Sequence, residues 1–392
     1  MSASPITRTA ALAGTTLLAL ALTPLGSANA APSSARVVGH DYINANISSG
    51  NAVDVLDRHA DGTSTFRSQV PIGGKGATGG LGSQGAIVQT PNHHLLLAVD
   101  AGSNEISVLS LAQDGTPSLV GAPVSSGGER PVSIAISPDG HLVYVANNGT
   151  AANPGHSNYT GFTLDNGGTL APLAGSTFPL PDSAKPVDVL FNSNGKTLAG
   201  TRVAPDNDTP GLVDSFNVGN DGLLSAAPGS PFLTGRVGPI GAAFKPSSPS
   251  QLFVSNAHDG ALNGSVTAFD VAKDSSLTTI GAPYADYQTA PCWVAISPDS
   301  KYLYTTNTAS GTISSYAIAN DGVLTLLGSF TFNNGSGAVD IAVTQDGKYV
   351  SVTGGRGHVL TTFAADNGEL TELTGSPVAL PAGGNPTGLV IS

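Results

Sequence analysis

The chain has 392 residues, 11% of them charged, a formal net charge of −12, one cysteine, 50 glycines and 27 prolines. An acidic, lysine-poor balance argues against nucleic acid and against anionic lipid as partners. With Cys292 alone no intrachain disulfide can form, so stability must come from packing, and the glycine and proline content suits short strands and many turns.

Residues 1–30 read as a secretory leader: Arg8 supplies a positive start, Ala10–Leu20 is apolar, and Ala28-Asn29-Ala30 is a small-residue cleavage site. The apolar run is too short for a membrane span, and no other stretch approaches ~18 uninterrupted apolar residues. Residues 31–392 are therefore expected to form one exported domain, monomeric and without a membrane span.

That domain repeats itself. Its first stretch, Val37–Gly73, looks like the later part of a repeat, with YINANISSGNAVDVL paralleling LYTTNTASGTISSY further on. A worn copy, QGAIVQTPNHHLLLAVD, starts at Gln84, and PVSIAISPDGHLVYVANN follows from Pro131. Further copies start at Pro186, Pro239, Pro291 and Ala338, and a truncated one, PTGLVIS, begins at Pro386 and ends the chain. A period of about 50 residues is the size of a propeller blade.

Each copy reads as four short strands. In the Pro291 copy these are Cys292–Ser297, Tyr302–Thr306, Thr312–Ile318 and Val323–Leu327, with Pro298-Asp299-Ser300 and Asn320-Asp321-Gly322 at the turns. No stretch holds a helical apolar rhythm for a dozen positions, so no long helix is expected. The first strand is apolar on both faces, large at Ile134/Ile136 or Val294/Ile296 and mostly small between them, so each sheet needs cover on both sides. The expected fold is all-β: a seven-bladed propeller of four-stranded antiparallel blades, closed by N- and C-terminal strands sharing one blade.

Strands that run up and down sort the loops. First-to-second and third-to-fourth turns are tight and share one face, while second-to-third loops and blade connections share the other. The longer loops make this second, wide face the place for binding. Arg130, Lys185 and Arg236 each precede a first strand there, and Arg202 and Arg356 end second strands. Planar arginine forks suit a carboxylate or phosphate, which points to a small anionic ligand at the channel mouth; the alternative is that these cations are solvated or paired with nearby acids. Glu129, Asp188 and Asp340 are the carboxylates near the same mouth. They are candidates for proton transfer, or, for the two aspartates, for structural bonds to blade-to-blade amides. Trp293 is either a stacking wall for the ligand or core.

His156, His258 and His358 fall on the wide face in separate blades, and His93, His94 and His141 at tight turns, so no metal site is expected. Asp206-Asn207-Asp208 lacks the ligand count of a calcium motif. No nucleophile elbow, phosphate loop or dinucleotide motif is present, and no cofactor is expected.

PVSIAISPDGHLVYVANN, PCWVAISPDSKYLYTTNTASGTISSYAIANDGVLT and AVDIAVTQDGKYVSVTGG, with the GSPV strand end at Gly375–Val378, resemble the lactonase-type seven-bladed propellers. That family includes bacterial propeller-type 6-phosphogluconolactonases and fungal carboxymuconate cyclases, and the resemblance runs from about Val37 to Ser392. It implies a hydrolase or cyclase acting on an acidic, carboxylated or phosphorylated, lactone, with His, Glu and Arg around the channel mouth. The family's histidine places read Val132-Ser133, Val187-Asp188, Cys292-Trp293 and Thr387-Gly388 here. On this reading Arg130, Arg202 and Arg236 hold the acid group, and Asp188 or Asp340 activates water or moves the proton in ring closure. The same repeat occurs in non-enzymatic surface propellers with YVTN-like second strands, so an extracellular propeller binding a glycan or protein partner is the alternative.

Overall fold

Every repeat unit folds into one antiparallel sheet whose first strand lies innermost. A computed structural model describes Met1 and residues 35–150, 156–181, 183–203, 210–332 and 337–392. The body of the expected leader and the Asp206–Asp208 loop lie outside the described residues. Seven sheets are present, and no described residue is helical. We number the blades in chain order by their inner strands: blade 1, Ile87–Gln89; blade 2, Pro131–Ile136; blade 3, Pro186–Phe191; blade 4, Pro239–Phe244; blade 5, Pro291–Ile296; blade 6, Ala338–Val343; and blade 7, Thr387–Ile391. Each inner strand packs beside the next and the last beside the first, closing the ring. Ile134, Val189, Val294 and Ile341 are all buried there.

Blade 7 takes its inner strand from the C-terminus and the other three, Val37–Asn44, Ala52–His59 and Ser64–Pro71, from the start of the domain. Tyr42 pairs with Val390 and Asp41 with Ile391. Arg58 Nη2 donates to the Ser392 carbonyl, and the His40 amide donates to Ser392 Oγ at 3.0 Å. The seam is therefore held by a ladder and by side chains.

The expected fourth strand is continuous only in blades 5 and 7, as Leu324–Thr331 and Ser64–Pro71. In the other blades it splits in two, as in Leu170–Pro172 and Phe178–Pro179 of blade 2. In blades 1, 3, 4 and 6 the cause is local: a glycine with left-handed φ, such as Gly121 (φ 68°) or Gly281 (φ 69°), stands two residues before a proline that has no N–H for the ladder, whereas in blade 2 the left-handed Gly175 (φ 76°) breaks the strand without one.

A further feature lies in residues 72–86, which join blade 7 to blade 1 where 126–130 suffice between blades 1 and 2. This glycine-rich stretch turns into the ring axis and plugs it. The Gly76 amide donates to the Ile47 carbonyl at 2.9 Å, and a Cβ on Gly102 would lie 2.1 Å from the Gly76 carbonyl oxygen, so only glycine allows that approach. Deeper, Ser83 Oγ donates to the Val132 carbonyl at 2.8 Å and the Gln84 amide to the Val187 carbonyl at 3.2 Å. The Gln84 side chain crosses to blade 5, donating to the Val294 carbonyl at 2.9 Å and accepting from the Val294 amide at 3.0 Å. The blade 1 strand accordingly begins at Ile87 rather than at Gln84. Gln84→Ala leaves both Val294 backbone groups without these partners, and is expected to cost about 2–3 kcal/mol in urea unfolding. A change below about 0.5 kcal/mol would show that the plug is merely draped in the channel.

Candidate functional site on the wide face

The connections before the inner strands of blades 2 to 6 follow one backbone rule. Arg130 (φ 54°), Lys185 (φ 44°), Gly238 (φ 68°), Ala290 (φ 59°) and Gly337 (φ 61°) all take the left-handed conformation immediately before a first strand. Their carbonyls accept from the residue that directly follows the second strand of the same blade, as Arg130 does from Asn148 at 3.0 Å and Lys185 from Val203 at 3.2 Å. Glycine meets this demand without strain, whereas a side chain there costs roughly 1 kcal/mol. Blades 2 and 3 nevertheless carry an arginine and a lysine. At Arg130 the conformation is fixed by its amide donating to Asn104 Oδ1 at 2.8 Å.

Arg130 lines a wide-face cavity of about 400 Å³ together with Glu129, Lys75, Ser48, Thr78, Asn104 and Thr150. One arginine Nη2 donates to the Gly80 carbonyl of the plug at 3.2 Å. Thr150 Oγ1 donates to Glu129 Oε2 at 2.5 Å and so orients the carboxylate. Lys75 comes from the plug, its amide tied to Ser103 Oγ at 3.0 Å. The structure thus brings together two of the sequence-expected residues, Glu129 and Arg130, and adds a cation that sequence reasoning missed. The signal for Lys75 was the glycine-flanked GGKG run in an overlong connection.

The remaining candidates sit elsewhere. Asp188 is buried, with Oδ1 accepting from Ser133 Oγ of blade 2 at 3.2 Å and Oδ2 from the Ala242 amide of blade 4 at 2.9 Å. Asp340 is likewise buried, with Oδ1 accepting from the Ile341 amide at 2.8 Å and Oδ2 from the Leu389 amide of blade 7 at 3.0 Å. Each therefore ties neighbouring blades. Arg202 is buried and donates to Asp214 Oδ1 at 2.6 Å. Arg236 stands half-buried beside Asp259, and Lys185 and Arg356 are exposed in blades 3 and 6. The cations expected to ring the mouth are thus spread over separate blades, and Arg130 alone of them lines this cavity. Trp293 is buried, its indole N–H donating to the Ser83 carbonyl at 2.7 Å, so it walls the plug.

Burial sets the charge state of the interior acids. It pushes Asp41, Asp54 and Asp100 up to about 6 and Asp188 up to about 7, and Asp340 rises well above the carboxylate range, with the Asp188 charge adding to desolvation. These groups hold protons in the folded state at pH values where the unfolded chain has released them. Their contribution is full below about pH 4 and is lost as pH rises through 6 to 7. The turn aspartates act oppositely: Asp139, held low chiefly by the Ser137 hydroxyl, and Asp165, held low by the Thr169 amide and hydroxyl, contribute above pH 4 and fail below it. The melting temperature is therefore expected to peak near pH 4 and to fall by about 3–6 °C by pH 8. A scan that rises from pH 5 to pH 8 would contradict these assignments.

The sequence model of the family described as "Lactonase, 7-bladed beta-propeller" matches residues 48–153 and 244–340, a little over half of the chain. No curated protein sequence matches. Among solved structures, a putative 6-phosphogluconolactonase from Bacteroides uniformis ATCC 8492 is similar at 19% identity, with 90% of this chain and 99% of that chain covered and a TM-score of 0.68. The periplasmic gluconolactonase of Pseudomonas aeruginosa is similar at 16% identity, with 90% and 99% covered and a TM-score of 0.69. A hypothetical selenium-binding protein from Sulfolobus tokodaii shares the fold at 12% identity, with 92% and 94% covered and a TM-score of 0.64. The family match over both halves of the ring and the shared fold lead to one assignment: this chain belongs to the seven-bladed β-propeller lactonase family.

Proposed function

We propose that the wide-face cavity binds an acidic lactone and opens it by hydrolysis. The observation that carries this reading is the convergence of Glu129, Arg130 and Lys75 on one cavity, with Arg130 held in a left-handed backbone conformation that blades 4 and 6 give to glycine. The two cations hold the phosphate or carboxylate of the substrate. Glu129 takes a proton from water, the hydroxide adds to the lactone carbonyl, and the ring C–O bond breaks. The proton returns to the leaving ring oxygen, so that lactone and water give the open hydroxy acid.

Support for an acid group on the substrate comes from the cation pair, and the names of the similar structures, 6-phosphogluconolactonase and gluconolactonase, frame the choice of lactone. In this reading Asp188 and Asp340 keep the blades in register, and neither a metal nor a cofactor takes part. Export through the leader in residues 1–30, with residues 31–392 as one monomeric domain, completes the proposal.

The test is turnover of 6-phosphogluconolactone against the neutral gluconolactone. Wild-type protein is expected to favour the phosphorylated lactone by about 100-fold in kcat/KM, and Arg130→Ala to erase about 10-fold or more of that preference. A second reading, a non-catalytic propeller that holds an anionic glycan or protein group in the same cavity, is favoured by the absence of an imidazole among the described residues that line it. Saturable binding of the substrate's open acid without turnover of either lactone would select it.

A further inference from the structure

Between blades 5 and 6 the tight-turn face carries a cleft of about 370 Å³. One hairpin sets it apart. In blade 6, Ala365 pairs with Leu370 across residues 366–369. The corresponding pairs, Val218 with Leu224 in blade 3 and Leu164 with Leu170 in blade 2, span 219–223 and 165–169. The blade 6 turn is therefore one residue shorter, reduced to Asn367 (φ 50°) and Gly368 (φ 86°) between the paired Asp366 and Glu369. Asn-Gly suits such a turn, because both of its central residues need positive φ.

Beside the shorter turn a tyrosine lacks the acceptor that its counterparts use. Tyr144 of blade 2 and Tyr42 of blade 7 stand opposite Ala135 and Val390 of their inner strands. Each hydroxyl donates at 2.8 Å to the carbonyl of the glycine closing the next blade's turn, Gly222 or Gly115. Tyr304 holds the same place in blade 5, opposite Ala295, and shares a buried cluster with Ile341, Val350 and Phe363 of blade 6. The residue is 1% exposed and lines the cleft. Its Oη has no hydrogen-bond partner among the described residues and, unlike the enclosed Thr305 Oγ1, retains accessible surface. Burial, with Tyr302 and Asp299 adding to it, pushes this phenol up to about 12, so it stays protonated and able to donate. A buried donor without an acceptor is costly, and a ligand oxygen would relieve it.

The rest of the lining separates charge from depth. Half-buried Tyr302 walls the cleft, and a Cβ on Gly368 would lie 2.8 Å from its Cδ1, so glycine lets the ring approach the turn. At the exposed rim stand two ion pairs, Lys301 Nζ with Asp299 Oδ2 and Lys348 Nζ with Asp346 Oδ2, each at 3.2 Å. The amides of Gln345 and Asn367 stand beside them. The rim charges cancel pairwise in water, so neither an anion nor a cation is favoured. Deeper, the cleft offers a neutral hydroxyl and an aromatic wall. A hydrocarbon would leave the phenol without a partner, and a charged group would lose its hydration there. A ligand that fits is neutral, has one apolar face and carries several hydroxyls, a combination found in a pyranose ring.

We infer that this cleft binds one residue of a neutral saccharide, its ring against Tyr302 and one hydroxyl oxygen accepting from Tyr304 Oη. The site lies on the face opposite the lactone cavity and does not depend on what that cavity does.

Saturation-transfer NMR on the folded protein tests it, with the methyl β-glycosides of glucose, galactose, mannose and N-acetylglucosamine. At least one is expected to bind with a dissociation constant of about 1–10 mM. Cyclohexanol, gluconate and glycine should each bind about tenfold more weakly or worse, because none satisfies floor and rim together. Tyr304→Phe should weaken the best glycoside about threefold to tenfold through one lost hydrogen bond. It should not lower the melting temperature, since the hydroxyl serves no protein group. Tyr302→Ala should weaken binding about tenfold or more by removing the wall. Gln345→Trp, at an exposed position, should cover the cleft and abolish binding. If Tyr302→Ala fails to fold, Tyr304→Phe and Gln345→Trp locate the site. No transfer to any of the four glycosides, equal binding of cyclohexanol or a charged probe, a lower melting temperature in Tyr304→Phe, or undiminished binding by the folded variants would overturn the inference.

Discussion

Deletion of residues 386–392 is expected to lower the melting temperature by about 10 °C or more, or to leave the chain unable to fold at all. The seven residues carry the inner strand of blade 7. Their loss exposes the apolar edge of Val37–Asn44, which pairs with that strand through Asp41, Tyr42 and Asn44. It removes the Leu389 amide from the buried Asp340 carboxyl and the Ser392 groups from Arg58 and His40. It also uncovers the inner strands of blades 6 and 1, which pack on either side. Burial of Leu389, Val390 and Ile391 and these lost bonds together amount to about 5–8 kcal/mol, comparable to the whole stability of an ordinary domain. A truncated chain that melts at the wild-type temperature would show that the ends do not close the ring.

Glu129→Gln is expected to reduce kcat for an acidic lactone by about 100- to 1,000-fold while leaving KM within about threefold. The amide keeps the shape of the carboxylate and still accepts from Thr150 Oγ1, which in the wild-type protein donates to Glu129 Oε2. It cannot take a proton from water. Glu129 is half-buried at the surface, so the fold should be intact. Asp188→Asn provides the contrast: its oxygens serve Ser133 and Ala242, so its effect should fall on stability and not on kcat. If Asp188→Asn abolished turnover in a folded protein and Glu129→Gln did not, the base would be in the channel and not on the wide face.

The ring was legible in the sequence because its cause is local and repeated. Strand-forming triplets such as Val143–Val145 recur in most copies and turn aspartates in three, at Asp139, Asp299 and Asp346, and each copy can bury itself only against another. The shared blade was legible for the same reason, since Val37–Gly73 and Pro386–Ser392 are complementary fragments of one pattern. The site was legible only in part. Glu129 and Arg130 stand at a repeat position whose backbone demand can be inferred from Gly238 and Gly337, so their exception to the rule could be noticed. Arg202 could not be assigned in this way, because its partner Asp214 lies on the adjacent strand, at a place where five other copies hold serine or threonine. Nor could the plug, because Gln84 meets Val294 across the ring axis, at a separation no repeat pattern encodes.

The wide-face account stands or falls on a steady-state comparison of wild-type protein, Arg130→Ala and Glu129→Gln with 6-phosphogluconolactone, followed by proton release. The expected result is a split: KM rises about 10-fold or more with kcat nearly kept in Arg130→Ala, and kcat collapses with KM nearly kept in Glu129→Gln. Wild-type turnover that neither substitution alters would place the chemistry outside this cavity and contradict the account.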